Sequence, residues 1–293
     1  MTKILTHNGR FHADEVFAIA MLKILFNSEI EVIRTRDLSK INDVDFVLDI
    51  GREYNPSLNK FDHHQETFVE KRKNNVPYAT AGLIWKHFGE KITNSKEIVN
   101  RLDLLLIQAI DAIDNGVESI ATNCLYKPYM LSDVIQSFRS AYNVRNANTD
   151  LQDFLEAVDF SQKLLLREIS KIKANIQGED TVKEVIKSSK ETQFIILEKK
   201  LPWDEIVMKY KNILYVIQYN KENDNWSIYG VRQGLNSFAV RKPFPNIWGG
   251  KEGSDLEQIT GVKGSVFCHK GLFLTVAKTK NSAVNLTKLA LNS

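Results

Sequence analysis

KILTHNGRFHADEVFAIAMLKILF, residues 3–26, carries the pattern that decides the fold. Residues 3–6 (KILT) have the length and apolar content of a strand. The polar, glycine-containing run from His7 to Asp14 predicts a turn, and VFAIAMLKILF (16–26) is apolar over a helical length. Two more strands are expected at EVIRT (31–35) and DFVLDI (45–50). The second is apolar almost throughout, as suits a strand buried on both faces. Strand, helix and strand in this order predict a parallel sheet covered by helices.

Outward from there, LIWKHFG (83–89) reads as a short helix stopped by Gly89. A longer helix is expected over 97–113, ending at the turn pair Asn115-Gly116. Further helices are expected over 131–142 and 150–175, the second long, charged and amphipathic. From about residue 193 the texture changes. QFIILEK, NILYVIQY, NWSIYGVRQ, SVFCH and LFLTVA read as strands, punctuated by runs such as KPFPNIWGG, and 281–291 as a final helix. The expected architecture is α/β: a parallel-sheet, metal-binding catalytic domain over 1–150, a helical connector over 151–190, and a smaller α+β substrate domain over 191–293.

The 293 residues are 43% hydrophobic and 26% charged, the balance of a globular chain. A formal net charge of +3 neither demands nor excludes a nucleic-acid partner. Cys124 and Cys268 are far apart and outside any Cys-x-x-Cys pair, which argues against a zinc ribbon or a disulfide framework and for small buried hydrophobes in a reducing compartment. No apolar run approaches the length of a membrane span, and the first fifteen residues lack the apolar core of a signal peptide. A cytoplasmic protein without membrane contact is expected. A His-Glu-x-x-His metalloprotease helix is absent from the sequence.

Four of the six histidines fall in two short segments, HNGRFHADE (7–15) and FDHHQ (61–65), each with an aspartate. Imidazole and carboxylate together suit Mn, Zn or Fe, and carboxylate-rich sites lean toward Mg or Mn. Random ordering of this composition would produce Asp62-His63-His64 with a chance on the order of one in a hundred. The plain alternative is a hydrogen-bonded surface turn. Adjacent histidines on extended backbone point to opposite sides, so one can bind metal while its neighbour faces substrate. The 7–15 turn follows a strand and opens a helix, where open α/β sheets bind ligands. His12 and Asp14 are candidate ligands there, although Asp14 or Glu15 would also suit a helix cap or first turn. Asp49, at the end of DFVLDI, is badly placed for packing and well placed for metal, whereas Asp45 is expected to face solvent. Asp111 and Asp114 share one helix face, and Asp114 is preferred because it meets the helix break. His87 reads as structural. His269 fits a substrate role or packing equally, and Trp203, Trp226 and Trp248 fit ordinary packing.

These segments, in order, resemble the Asp-His-His (DHH) phosphoesterase superfamily, and more closely its Myg (melanocyte proliferating gene) family of exonuclease-like metal-dependent hydrolases. THNGRFHADEVFA, VLDIG, FDHHQ, YATAGLIWKHFG and AIDAIDNG carry the resemblance in the first half, and SFAVRKPFPNIWGG and GVKGSVFCH in the second. The resemblance implies two divalent metal ions, manganese first, with Mg²⁺ or Zn²⁺ as alternatives. It assigns His12, Asp14 and His7 to the first motif, a metal-bridging Asp49 to the second, Asp62 and His63 to the third, and Asp114 to the fourth. His64 is expected to face substrate and assist the leaving oxygen. Thr80-Ala81-Gly82 is expected to open a helix whose N-terminus faces phosphate. The chain departs from the superfamily at His12, where an aspartate is usual. It departs again near its C-terminus, where Leu272-Phe273-Leu274-Thr275-Val276 replaces a glycine-rich stretch.

The expected activity is phosphodiester hydrolysis by water activated between two metals, trimming short RNA or DNA from one end. Arg232, Arg241, Lys242, Lys263 and Lys270 are candidates for contacting phosphates, with ordinary solvated charge as the alternative for each. Two other readings stay open: hydrolysis of a small phosphoester such as a dinucleotide or bisphosphate, and a catalytically silent, metal-stabilised nucleic-acid-binding module. A homodimer is a further expectation.

Overall fold

A computed structural model of the chain describes residues 1–117, 128–234 and 237–293. Cys124 lies outside the described residues. The chain forms two units, Met1–Lys173 and Ala174–Ser293. Both contain sheet and helix, and the fold is α/β as the sequence predicts. Among the described residues, no helix is long and apolar enough to cross a membrane.

Unit 1 begins with β1 (Thr2–Thr6), α1 (Ala13–Leu25), β2 (Ile30–Arg34) and β3 (Phe46–Leu48), followed by β4 (Tyr54–Asn55) and β5 (Lys60–Phe61). The sheet order is β2-β1-β3-β5-β4, parallel except for the β4 edge. In the register, Thr6 pairs with Leu48, and Leu48 with Phe61. Three neighbouring strands therefore end on one line, and His7, Asp49 and Asp62 are the next residue of each. β3 is buried along its length, as its apolar run requires.

Helix α1 starts three residues before the apolar run alone predicts, because Glu15 reaches back to the His12 amide with both oxygens, each at 2.9 Å. Ala13 to Leu22 are all buried, and α1 packs against α2 (Thr80–Thr93). Burying Phe17, Ile19, Met21 and Leu22 contributes about 1.5–3 kcal/mol each. Helices α3 (Lys96–Leu102) and α4 (Gln108–Asp114) continue one another through a π-helical turn at Asp103–Ile107. The helix expected over 131–142 is shorter, α5 (Leu131–Ser137). The one expected over 150–175 is longer, the 42-residue α6 (Ala147–Ser188). Its charged residues keep it polar at every turn, so the apolar pattern marks neither end.

Unit 2 holds β6 (Phe194–Leu197), α7 (Asp204–Val207), β7 (Tyr215–Asn220), β8 (Asn225–Gly230), α8 (Gly253–Thr260), β9 (Ser265–Cys268), β10 (Leu274–Ala277) and α9 (Lys280–Asn292). The order is β6-β7-β8-β10-β9, with β6 and β7 parallel and the other pairs antiparallel. Side chains alternate across it. Phe194, Tyr215, Ile217, Trp226 and Ile228 enter a core with Trp248 and Leu286, while Ile195, Leu197 and Val216 enter another with Val182 and Trp203. Trp203, Trp226 and Trp248 are thus packing residues. Cys268 is buried, and burial pushes its thiol up to about 11.

Candidate metal centre

The line of strand ends assembles the cluster. β1 delivers His7 and then the turn to His12, the N-cap of α1, with Asp14 and Glu15 in the first helical turn. After β3 the chain leaves the strand at once: Asp49 has φ +58°, and its amide donates to the Phe61 carbonyl at 3.0 Å. Aspartate tolerates this left-handed conformation at a cost of about 1 kcal/mol. Strained residues of this kind gather at functional sites. β5 delivers Asp62, His63 and His64, and the last residue of α4 is Asp114.

The side chains then meet. His7 Nε2 lies 3.2 Å from Glu15 and 3.3 Å from Asp49. His63 Nε2 lies 3.0 Å from Asp114, and its Nδ1 lies 3.5 Å from Asp49. His64 Nδ1 lies 2.8 Å from Asp62 and 3.4 Å from Asp49. His12 Nδ1 stands 3.9 Å from Asp114. Among the described residues, four groups bring ligand-type atoms within 4.8 Å of one another: Asp49, Asp62, His63 and His64; His7, His12 and Glu15; His12, Asp14 and Asp114; and Asp14, Glu15 and Asp49. Most of the cluster is buried, but the His12 and His64 side chains are 48% and 54% exposed and give it an open side. The rings of His63 and His64 do not point to opposite sides; they lie 4.2 Å apart. β5 ends at Phe61, so the strand alternation no longer applies beyond it.

Asp14 is the test of whether these residues fit a cation. It is fully buried, and neither carboxylate oxygen has a hydrogen-bond partner. Burial, then the charges of Asp49, Asp114 and Glu15, push its pKa well above the usual carboxylate range. A buried anion facing other anions is costly unless a cation joins them. Burial opposes a charge on His7, but hydrogen bonds to Asp49 and Glu15 outweigh it and raise its pKa to about 10. Burial would likewise raise Asp62, but His64 and the backbone amides of His64 and Arg52 hold it low. Asp114 is held low by His63 against its burial. Five carboxylates and four imidazoles form a mixed oxygen and nitrogen donor set, which suits Mn, Zn or Fe.

Other expected residues sit differently. Thr80 donates its hydroxyl to Asp49 at 3.0 Å, holding that carboxylate in place. The Gly82 amide, expected to face phosphate, donates to Asp111 at 2.9 Å instead. Asp111 itself pairs with Arg72 at 2.8 Å, so it is Asp114 that enters the cluster. Arg232, Arg241 and His269 all lie in unit 2. Arg232 meets Asp204 at 3.1 Å. Arg241 donates to the carbonyls of Met208, Tyr210 and Ile213, which engages the guanidinium with backbone rather than leaving it for a phosphate. His269 accepts from the Gly271 amide at 2.9 Å and packs on Phe273. His87 bonds the Tyr54 hydroxyl at 2.8 Å, a structural role.

The sequence singles out none of three arginines here, and it offers Glu15 only as a helix-cap or first-turn acid. Glu15 both caps α1 and pairs with His7; a glutamate three residues after His12 was the available signal. Arg10, Arg36 and Arg52 line a cavity of about 480 Å³ together with His12, Asp49 and His64. Arg36 follows β2 and Arg52 follows the Asp49 turn, both near strand ends where open α/β sheets bind ligands.

The family model MYG1_exonuc, described as "Uncharacterised protein family (UPF0160)", matches residues 3–291. A Mus musculus protein named "MYG1 exonuclease" is 29% identical over 323 residues, covering 99% of this chain and 84% of that protein. The "MYG1 protein" of Dictyostelium discoideum is 29% identical, covering 99% of this chain and 96% of its own. The "MYG1 protein" of Chlamydia trachomatis serovar D is 31% identical, covering 98% and 95%. With the match running almost from end to end, the chain belongs to the MYG1_exonuc family.

Proposed function

We propose that the cluster holds two divalent cations, manganese first, and that the protein is a phosphodiesterase of the DHH type that trims short RNA or DNA from one end. The buried, partnerless carboxylate of Asp14 among Asp49, Asp114 and Glu15 is the observation that carries the metal reading. The name "MYG1 exonuclease" borne by the mouse relative supports the substrate class.

Asp14, Asp49, Asp62, His63 and Asp114, with His7 and His12, would hold the cations. Bound there, such ions would supply a water of lowered pKa and offset charge on the phosphoryl oxygens. The chain's own residues do the rest. Thr80 fixes Asp49. Arg10, Arg36 and Arg52 present guanidinium groups to an incoming phosphate beside His12 and His64. His64, steered by Asp62 at 2.8 Å and open to solvent, is placed to give a proton to the departing oxygen.

The test is turnover by metal-stripped protein with Mn²⁺, Mg²⁺ or Zn²⁺ restored, on a labelled RNA or DNA 5-mer and on a dinucleotide, with Asp49→Ala as control. Metal-dependent release of mononucleotides, lost in the variant, is expected. Turnover of the dinucleotide alone would reject the oligonucleotide substrate. Tight nucleic-acid binding with no release under any metal would reject the hydrolase.

A further inference from the structure

The 7–11 turn borders a second cavity, about 890 Å³, lined by Asn8, Gly9, Arg34, Arg139, Tyr142 and Arg145 among others. Its charge is unbalanced. One carboxylate, Asp150, serves both Arg34 and Arg145, the latter at 2.5 Å. Asp153 accepts from the amide and hydroxyl of Ser140, and Glu15 adds negative charge near Arg34. Arg139 makes one long contact of 3.4 Å to the side-chain oxygen of Gln136, which Arg10 shares at 3.0 Å. The Nε atoms of Arg139 and Arg34 are both buried without a hydrogen-bond partner. Burial and the neighbouring Arg145 and Arg10 weaken the hold of Arg139 on its proton. Arg34 is held by Asp150, by the carbonyls of Asp150 and Gly9 and by the Phe154 ring, so Arg139 is the guanidinium here that lacks an anion, and phosphate oxygens fit its planar fork.

Two further features give the anion a chemical class. Tyr142 lies at the cavity with 96% of its surface exposed, a free aromatic face of the kind that stacks on bases without regard to sequence. The cavity also adjoins the metal cluster. Gly9 is two residues from His7, so its backbone lies within about 7 Å of that residue's. Arg10 lines the metal-side cavity and is tied through Gln136 to Arg139.

We infer that this cavity binds the phosphate and base of a nucleotide neighbouring the one at the metal cluster, in a single-stranded nucleic acid. For the identity of its ligand this rests on the phosphodiesterase reading. The second phosphate then becomes part of what the protein selects, and a dinucleotide with a single phosphodiester leaves Arg139 and Arg145 unfilled.

The experiment is binding without turnover: full-length chain in EDTA, a labelled DNA 5-mer and a dinucleotide, and anisotropy read over a range of salt. The wild-type chain is expected to bind the 5-mer at least tenfold more tightly. In R139Q/R145Q that ratio should fall toward one, and the salt slope should shrink by about 0.7 for each phosphate that is no longer neutralised. A wild-type chain with no length preference, or a folded double variant with the wild-type ratio and slope, overturns the subsite. Should the double variant misfold, phenylglyoxal labelling of the wild type replaces it. The 5-mer must then protect Arg139 better than the dinucleotide does, and equal protection overturns the inference. Binding and turnover fail separately. Length-dependent binding with no hydrolysis under any metal sinks the phosphodiesterase reading alone, whereas hydrolysis without length-dependent binding sinks the subsite alone.

Discussion

The amide of Gly82 donates to Oδ1 of Asp111 at 2.9 Å, both residues buried inside unit 1. A Cβ at position 82 would stand 1.8 Å from the other oxygen of that carboxylate and 2.7 Å from the Arg72 guanidinium. Glycine is needed there for close packing of α2 against a buried ion pair, not for a phosphate. Gly82→Ala is expected to cost about 3 kcal/mol in urea unfolding while Mn²⁺ affinity changes little. Wild-type stability in that variant would show that the carboxylate is free to move and that Asp111 is not locked.

Asp14 makes the opposite case, a residue kept at the expense of stability. Its oxygens have no partners and it faces three other acids. Without metal the folded chain must keep a proton on Asp14 that the unfolded chain gives up; Asp14→Asn removes that cost and adds an amide donor, so the metal-free variant should be more stable by about 1–2 kcal/mol. The same change should weaken Mn²⁺ binding at least tenfold, an order-of-magnitude expectation for a lost ligand. Calorimetry and thermal melting in EDTA check both halves. A variant that is destabilised without metal, yet binds Mn²⁺ normally, would make Asp14 a core residue.

The sequence makes this cluster legible where the signal is local. DFVLDI exposes a buried strand with an aspartate at its end, and Asp-His-His is rare enough to stand out, so Asp49, Asp62 and His63 are candidates on local signal, whereas Asp111 and Asp114 share a helix face and the sequence only favours Asp114. What stays hidden depends on side chains meeting across long separations. Arg241 looks like a phosphate ligand until its guanidinium is seen turned onto three carbonyls. Arg10, Arg34, Arg139 and Arg145 are scattered along the chain, and no window of sequence shows that Asp150 must serve two of them. Gly82 reads as a helix opener because sequence cannot show the carboxylate arriving from α4.

Cation binding should release protons. Without metal, His7 is held protonated up to about 10 by Asp49 and Glu15, and Asp14 is pushed well above the usual carboxylate range. A divalent ion must displace those protons to reach the same atoms. Mn²⁺ affinity is therefore expected to rise between pH 6 and 8, by about tenfold per pH unit for each proton released. Stability without metal should move the other way. The folded pKa of His7 lies above its ordinary 6.5, so its contribution is complete below 6.5 and is lost as pH rises through 10. Asp14 has the same sign, since the folded site holds a proton that the unfolded chain has given up. Calorimetry in two buffers of different ionisation enthalpy reads the released protons directly; none at pH 7 would mean the site is already deprotonated.

His64 separates catalysis from metal binding. Its side chain is 54% exposed, and hydrogen bonding to Asp62 raises its pKa against partial burial. The geometry also lets it join Asp49, Asp62 and His63 as a ligand, so the two roles must be told apart by measurement. As a proton donor, its replacement in His64→Gln should lower kcat by about 10²-fold or more, with KM and Mn²⁺ affinity nearly unchanged. A p-nitrophenyl phosphodiester, whose leaving oxygen needs no proton, should recover most of that loss. With the ordinary substrate, wild-type kcat should fall as pH rises through the raised pKa of His64, and that limb should vanish in the variant. Loss of Mn²⁺ affinity in step with kcat, together with no recovery on the activated ester, would make His64 a metal ligand instead.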